Sequence, residues 1–156
     1  MMRKLFLLPA FLAAATPAFA QTTGTKPTID PTRAIGLTPD QIQWTKRPNN
    51  DVAWVIGDPK KPGPCLELIR WHPNYFSRPH YHDAARYAVV LSGTWWVSTS
   101  NVYDPDNNTV PFPAGSVITD LVKGVHYDGA KPATGDATIA IFMECPLTST
   151  PAEAKK

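Results

Sequence analysis

Proline is the feature that most restricts how this chain can fold. The sequence contains 17 prolines against 9 glycines. Because proline interrupts helix interiors and is confined to turns and strand edges, the sequence argues against a helical bundle. Between the prolines lie short runs rich in β-branched and aromatic residues, which predict strands. These runs are residues 52–56, 65–71, 87–91, 94–98, 117–118, 121–122 and 138–145. Many short strands separated by turn signals indicate an all-β antiparallel sandwich or barrel.

The first twenty residues have the pattern of an export signal. A basic start at residues 1–4 is followed by an apolar run, and the segment closes on the small residues Ala18 and Ala20. We therefore predict a signal peptide over residues 1–20 and a periplasmic or secreted mature protein. The apolar run is too short to span about 30 Å of hydrocarbon, and no later stretch is apolar enough to do so. No membrane span is expected after cleavage.

Net charge carries no message about partners once the signal is removed. The formal charge of +2 arises from 15 basic and 13 acidic residues, and Arg3 and Lys4 account for the excess. A basic cluster interleaved with aromatic residues, which would predict nucleic-acid binding, is missing from the sequence.

Composition divides the mature chain into three parts. Residues 21–50 are mostly polar and predict an N-terminal arm, within which the capping box at 38–41 predicts a short helix. Residues 51–146 contain the strand signals and predict one β-barrel domain. Residues 147–156 predict a flexible C-terminal tail.

Three of the four histidines are spaced as metal ligands would be. His80 and His82 are two residues apart, so on a strand both imidazoles point to one face. Two adjacent imidazoles suit Zn, Fe, Mn, Ni or Cu, although a pair of surface or capping histidines has the same spacing. His72 precedes Pro73 and is interpreted as a strand-end residue with a backbone partner.

Residues at fixed spacing extend this pattern through most of the mature chain. One set is Asn74, His80, His82, Arg86 and Gly93, and the other is Gly115, Leu121, Lys123, His126 and Ala130. The spacing resembles the two motifs of the cupin superfamily, and residues 89–96 look like its small exported single-domain members. The resemblance implies a cupin-type antiparallel β-barrel, a double-stranded β-helix or jelly roll, with a short N-terminal arm.

The resemblance also implies a site. His126 would join His80 and His82 inside the barrel and hold a divalent transition metal, Zn, Fe, Mn or Ni. A metal-dependent oxygenase, isomerase or lyase acting on a small organic molecule would fit. A non-catalytic module that binds a small ligand or a metal, and a degenerate barrel used for assembly, are the alternatives. A homodimer is also expected.

Arg86 departs from the cupin pattern, which has Glu as a fourth ligand at this place. A guanidinium has no lone pair to offer a metal. Two interpretations follow. In the first, the three histidines hold a metal, and Arg86 binds an anionic substrate or pairs with a carboxylate such as Asp83 or Asp128. In the second, the metal site is degraded. Glu144 in the last strand is interpreted as outward-facing, with a role as general base or partner of Arg86 as the alternative.

Two other departures concern a turn and the cysteines. Leu121, Lys123 and Ala130 replace the Pro, Gly and Asn of the second motif, and Gly124 could restore the turn one place later. Cys65 and Cys145 are the only two cysteines of the chain. In an exported protein they predict one disulfide.

Overall fold

The computed structural model describes residues 36–155, in which the chain forms twelve strands and two short 3-10 helices. The helices are Pro39–Gln41 and Pro132–Thr134. The strands are β1 (Thr45–Lys46), β2 (Asn50–Ile56), β3 (Gly63–Trp71), β4 (Tyr75–Phe76), β5 (His80–Tyr81), β6 (Arg86–Ser92), β7 (Thr94–Ser98), β8 (Val110–Pro113), β9 (Val117–Asp120), β10 (Tyr127–Ala130), β11 (Ala137–Cys145) and β12 (Thr150–Pro151). Within this range no helix is long and apolar enough to cross a membrane.

The strands form three antiparallel sheets. The largest has the order β1-β2-β3-β11-β6-β9, the second β4-β10-β7-β8, and β12 pairs with β5 in the third. In the largest sheet the late strand β11 lies between the early strands β3 and β6, and in the second sheet β10 lies between β4 and β7, as in a jelly roll. Buried side chains of both larger sheets form one core, which includes Trp71, Val90, Trp95, Ile139 and Ile141. The prediction of an all-β antiparallel barrel is confirmed.

The period of two along β11 shows how sequence becomes core. Ile139, Ile141 and Met143 are buried, whereas Phe142 and Glu144, at the intervening positions of the strand's period of two, are exposed. Successive side chains of a strand point to opposite faces, and β11 lies between β3 and β6 with one face toward the core. The interpretation of Glu144 as an outward-facing residue is therefore confirmed.

The strand prediction fails at residues 121–122. Strand β9 ends at Asp120, and Leu121 and Val122 lie in the following turn with 72% and 55% of their surface exposed. The backbone N–H of Gly124 donates to the Leu121 carbonyl at 2.9 Å, which closes the turn. Two apolar residues alone are too short a signal to distinguish a strand from an apolar turn.

The C-terminal segment is paired with the barrel, although a flexible tail is predicted there. Residues Thr150 and Pro151 pair with Tyr81 and His80 in the β12–β5 sheet. The Ala152 N–H then donates to the Pro79 carbonyl at 2.9 Å, and the Ala154 N–H donates to Asn101. Backbone hydrogen bonds thus continue to residue 154, within the segment for which the sequence predicts a flexible tail.

At the other end, the predicted signal peptide and most of the predicted arm lie outside the described residues. The capping box falls inside them, where the Thr38 N–H donates to the Gln41 side chain at 2.9 Å. Pro39 opens the short helix at its first position, as the sequence predicts.

Cys65 and Cys145 form a disulfide between β3 and β11, with their Cα atoms 6.0 Å apart. Both residues are buried in the core. The bridge closes the ends of two neighbouring strands that are 80 residues apart in sequence.

Candidate metal centre

Short backbone elements bring the three histidines together. His80 begins β5, His82 follows that strand, and His126 precedes β10. His80 and His126 form an antiparallel bridge in which each N–H donates to the other's carbonyl at 2.9 Å. One ring nitrogen from each histidine lies within 4.8 Å of the others, and the ring centroids are 4.5–5.2 Å apart. The structure thus brings together the three predicted ligands.

Each of the three imidazoles has its Nδ1 against a backbone carbonyl. Nδ1 of His80 donates to Arg78 at 2.7 Å, Nδ1 of His126 donates to Gly124 at 3.0 Å, and Nδ1 of His82 donates to Thr148. These bonds assign the proton to Nδ1 and leave a lone pair on each Nε2. The Nε2 atoms of His80 and His82 are 3.1 Å apart.

Burial keeps two of these imidazoles neutral. It lowers the pKa of His80, and together with the Arg86 guanidinium it lowers the pKa of His82 to about 3. Neutral imidazole is the form that binds a metal, so no proton has to be displaced from these side chains near neutral pH.

Arg86 lies inside the same site, at the first position of β6. It is 7% exposed, and one of its terminal nitrogens donates to His82 Nε2. Its Nε and the Nε2 of His126 are buried without a hydrogen-bond partner among the described residues. Buried polar atoms in native proteins are nearly always paired, so two unpaired atoms beside one another indicate a place for a ligand.

Two carboxylates adjoin this cluster. Asp120 lies directly across the β6–β9 pair from Arg86, with Oδ2 3.8 Å from Arg86 Nε and 3.6 Å from His126 Nε2. Asp128 Oδ2 is 4.0 Å from His126 Nε2. The carboxylate that pairs with Arg86 is therefore Asp120, and the prediction of Asp83 or Asp128 is wrong. Asp83 is exposed, and strand pairing, which spacing alone does not reveal, brings Asp120 to Arg86.

A third carboxyl group, Glu67, points into the barrel from β3. It is 5% exposed and lies on the same face of β3 as the core residues Cys65 and Trp71 and as Ile69, which packs against the core. Burial raises the pKa of Glu67 to about 7, against the attraction of Arg86. The sequence analysis missed Glu67 because a single charged residue within a strand is ordinarily outward-facing.

Solved structures share this architecture at low sequence identity. The polyketide cyclase RemF from Streptomyces resistomycificus is 14% identical, with a TM-score of 0.62 over 79% of this chain and 88% of its own. A sugar phosphate isomerase of the cupin superfamily from Silicibacter pomeroyi is 14% identical, with a TM-score of 0.53 over 71% and 76%. An RmlC-like cupin from Shewanella frigidimarina is 10% identical, with a TM-score of 0.54 over 69% and 87%.

The fold is that of the cupins. The resemblance in the motifs is thereby confirmed for the fold, which at these identities is what the likeness establishes. No protein-family model and no curated protein matches the chain.

Residues of the two motifs form turns with positive φ angles. Asn74 and Gly93 adopt positive φ angles of 69° and 72°. A Cβ at Gly93 would lie 2.0 Å from the Asp136 carbonyl, so this corner requires glycine. In the second motif Lys123 itself adopts a φ of 59°, and the proposed shift to Gly124 is wrong. The Lys123 N–H donates to the His82 carbonyl at 2.8 Å, which ties this turn to a site residue.

The fourth histidine lies outside the cluster. His72 Nδ1 is 3.2 Å from the Pro48 carbonyl, and its Nε2 is 3.3 Å from Asp51. The prediction of a strand-end residue with a backbone partner is confirmed.

A cleft of about 780 Å³ leads to the candidate centre of the cupin barrel. His126 and Asp120 form part of its wall, and the remainder includes apolar side chains such as Phe112 and Ile118 and polar ones such as Ser98. Clefts of this size accept small organic molecules.

Proposed function

We propose that the protein binds a divalent transition metal, Zn, Fe, Mn or Ni, through Nε2 of His80, His82 and His126. The observation that supports this is that each of the three clustered rings has its Nδ1–H held by a backbone carbonyl. Metal-binding histidines are held in this way, because the second hydrogen bond selects the tautomer and orients the ring. A bound metal would act there as a Lewis acid that polarises an oxygen atom of a substrate.

The substrate we propose is a small organic anion. Arg86 is buried beside the three histidines, and its Nε forms no hydrogen bond in the described chain. A buried guanidinium suits a carboxylate, a phosphate or an enolate oxygen. The isomerase among the similar structures is named for an anionic substrate, a sugar phosphate. A metal-dependent isomerase, lyase or oxygenase is consistent with this arrangement.

A non-catalytic binding module is the second candidate, and one contact favours it. Arg86 donates a hydrogen bond to His82 Nε2, the atom whose lone pair a metal would need. With that contact in place, Arg86 would bind an anion without any metal.

Elemental analysis of protein purified without an affinity tag separates the two candidates. Under the first, the protein holds about one metal ion per chain, and a His80→Ala/His82→Ala variant loses it. A His72→Ala variant is the matched control, because His72 lies outside the cluster, and should retain the metal. Metal-free wild-type protein that binds anions as well as the double variant does would support the binding module instead.

Arg86→Ala tests the role of the guanidinium. We expect this variant to keep the metal, because arginine is not a ligand, and to lose affinity for anionic ligands measured by calorimetry. Loss of the metal would show that Arg86 organises the centre rather than the substrate.

We also propose export with removal of residues 1–20, and a homodimer. The N-terminal pattern and the cysteine pair support export, which mass spectrometry of the mature N terminus in the producing cell would test. Exposed apolar side chains on neighbouring strands support the dimer: Val89 lies opposite Val117, and Tyr87 lies opposite Phe142. Light scattering on purified protein would test it.

A further inference from the structure

We propose that Asp120 is the carboxylate ligand of the metal centre, supplied from β9 because Arg86 occupies the ligand position on β6. This inference rests on the proposed metal site. It identifies a fourth ligand at a position that neither sequence motif specifies. The observation that carries it is the position of Asp120 between two buried, unpaired nitrogen atoms, Arg86 Nε and His126 Nε2.

One distance between ligand atoms lies within the range that a shared ion requires, and a second lies just outside it. Two ligand atoms about 2.1 Å from one metal, at angles between about 90° and 110°, are about 3.0–3.4 Å apart. His80 Nε2 and His82 Nε2 are 3.1 Å apart, within that interval. Asp120 Oδ2 and His126 Nε2 are 3.6 Å apart, slightly outside it and too far for a hydrogen bond between them.

Asp128 is the natural competitor, and its contacts argue against it. Its Oδ2 is 4.0 Å from His126 Nε2, farther than that of Asp120. Trp95 Nε1 donates to its Oδ1 at 3.2 Å, and Ser77 Oγ lies 3.4 Å from its Oδ2. Asp128 is thus held by side chains outside the cluster. Across residues 36–155, by contrast, the carboxylate of Asp120 accepts no hydrogen bond, and only 8% of its side chain is exposed.

Charge gives the exchange a physical reason. A cation at the β6 position would repel a metal unless an anion lies near both. The cross-strand neighbour of Arg86 is that anion, since Asp120 pairs with Arg86 in register and adjoins His126. When a metal takes the lone pair of His82, the guanidinium still has Asp120 as a neighbour, so displacing it does not leave a buried charge unpaired.

Metal titration tests the proposal without any substrate. The full disulfide-bonded protein is stripped with a chelator and titrated with Zn²⁺ against a chromogenic competitor, and separately with Co²⁺, whose visible absorption depends on its ligands. We expect Asp120→Asn to weaken Zn²⁺ binding by at least about tenfold and to change the Co²⁺ spectrum. Asp128→Asn, a matched loss of one buried carboxylate, should weaken binding less, and Asp120→Glu should restore part of the affinity.

Each outcome bears on the proposal in a defined way. If wild-type protein binds Zn²⁺ and Asp120→Asn binds it equally well, Asp120 is not a ligand and the three-histidine centre stands. If Asp128→Asn shows the larger loss, the carboxylate has been assigned to the wrong residue. If wild-type protein binds neither metal, the proposed metal function fails, and this inference with it. Should Asp120→Asn not fold, as judged by circular dichroism, the Co²⁺ spectrum of Asp120→Glu decides, and a spectrum identical to the wild type refutes the proposal.

Discussion

Replacing Glu67 with glutamine should make the protein more stable at alkaline pH. The carboxyl group is buried in the barrel, and burial raises its pKa from an ordinary value of 4.5 to about 7. Above pH 7 the native state carries a buried carboxylate that the unfolded chain would expose to water. Glutamine has nearly the same shape and never ionises, so it removes this cost.

The size and pH range of the effect follow from the two pKa values. The interval between 4.5 and about 7 corresponds to about 3 kcal/mol, at about 1.4 kcal/mol per pH unit. Below pH 4.5 the group is protonated in both states, and wild type and Glu67→Gln should unfold with similar free energies. As the pH rises from 4.5 to about 7, the wild type loses stability relative to the variant, because the unfolded chain ionises in this range while the native carboxyl group stays protonated. The full difference is reached above pH 7.

Urea unfolding at pH 4.5 and pH 8, with the disulfide kept oxidised, measures this difference. Glu144→Gln is the matched control, because Glu144 is exposed on β11 and its neutralisation should leave the pH dependence unchanged. A Glu67→Gln variant that tracks the wild type at both pH values would refute the reasoning. The carboxyl group would then titrate normally, through water access or a closer pairing with Arg86.

Three further predictions concern other parts of the molecule. Deleting residues 149–156 removes β12 and should weaken Zn²⁺ binding by about 10–100-fold, because the adjoining Thr148 carbonyl orients His82. An unchanged Zn²⁺ affinity in the competitor titration would contradict this prediction. The mature oxidised protein should contain no reactive thiol after denaturation, and two free thiols would refute the disulfide. A Cys65→Ser/Cys145→Ser variant should lose about 4 kcal/mol of unfolding free energy, because the two cysteines are 80 residues apart in sequence. Val117→Asp should shift a dimer toward monomer in light scattering, because Val117 is 72% exposed and lies beside the exposed Val89. An unaltered dimer would place the interface elsewhere.

Strands with a strong local signal could be predicted, and those held by partners could not. Residues 138–145 are rich in β-branched and aromatic side chains, and residues 65–71 are mostly apolar; β11 and β3 occur there. Strand β8 (Val110–Pro113) contains two prolines and was missed, since proline argues against a strand. Strands β5 and β12 have two residues each and depend on their mutual pairing, which leaves no local pattern to detect.

The residues of the candidate site likewise differ in whether they have a local sequence signal. His80 and His82 could be predicted because their alternation is local, and His126 through the spacing of the cupin motifs. Asp120 has no such signal, because its position beside Arg86 depends on the register of β9 against β6. Thr148 lies in a segment whose composition predicts flexibility, although its carbonyl holds His82.

The sequence by itself determined the class of the protein: an all-β chain with turns at Asn74 and Gly93, and with three imidazoles on two motifs. Those features depend on the period of a strand and on the φ angles that a few residues tolerate, which are properties of neighbouring residues. Only the tertiary structure decided which charges surround the imidazoles. Strand pairing set Asp120 against Arg86, and burial among core residues raised the pKa of Glu67. Both effects act between residues distant in sequence, because electrostatic interaction and desolvation depend on separation in space and on exclusion of water.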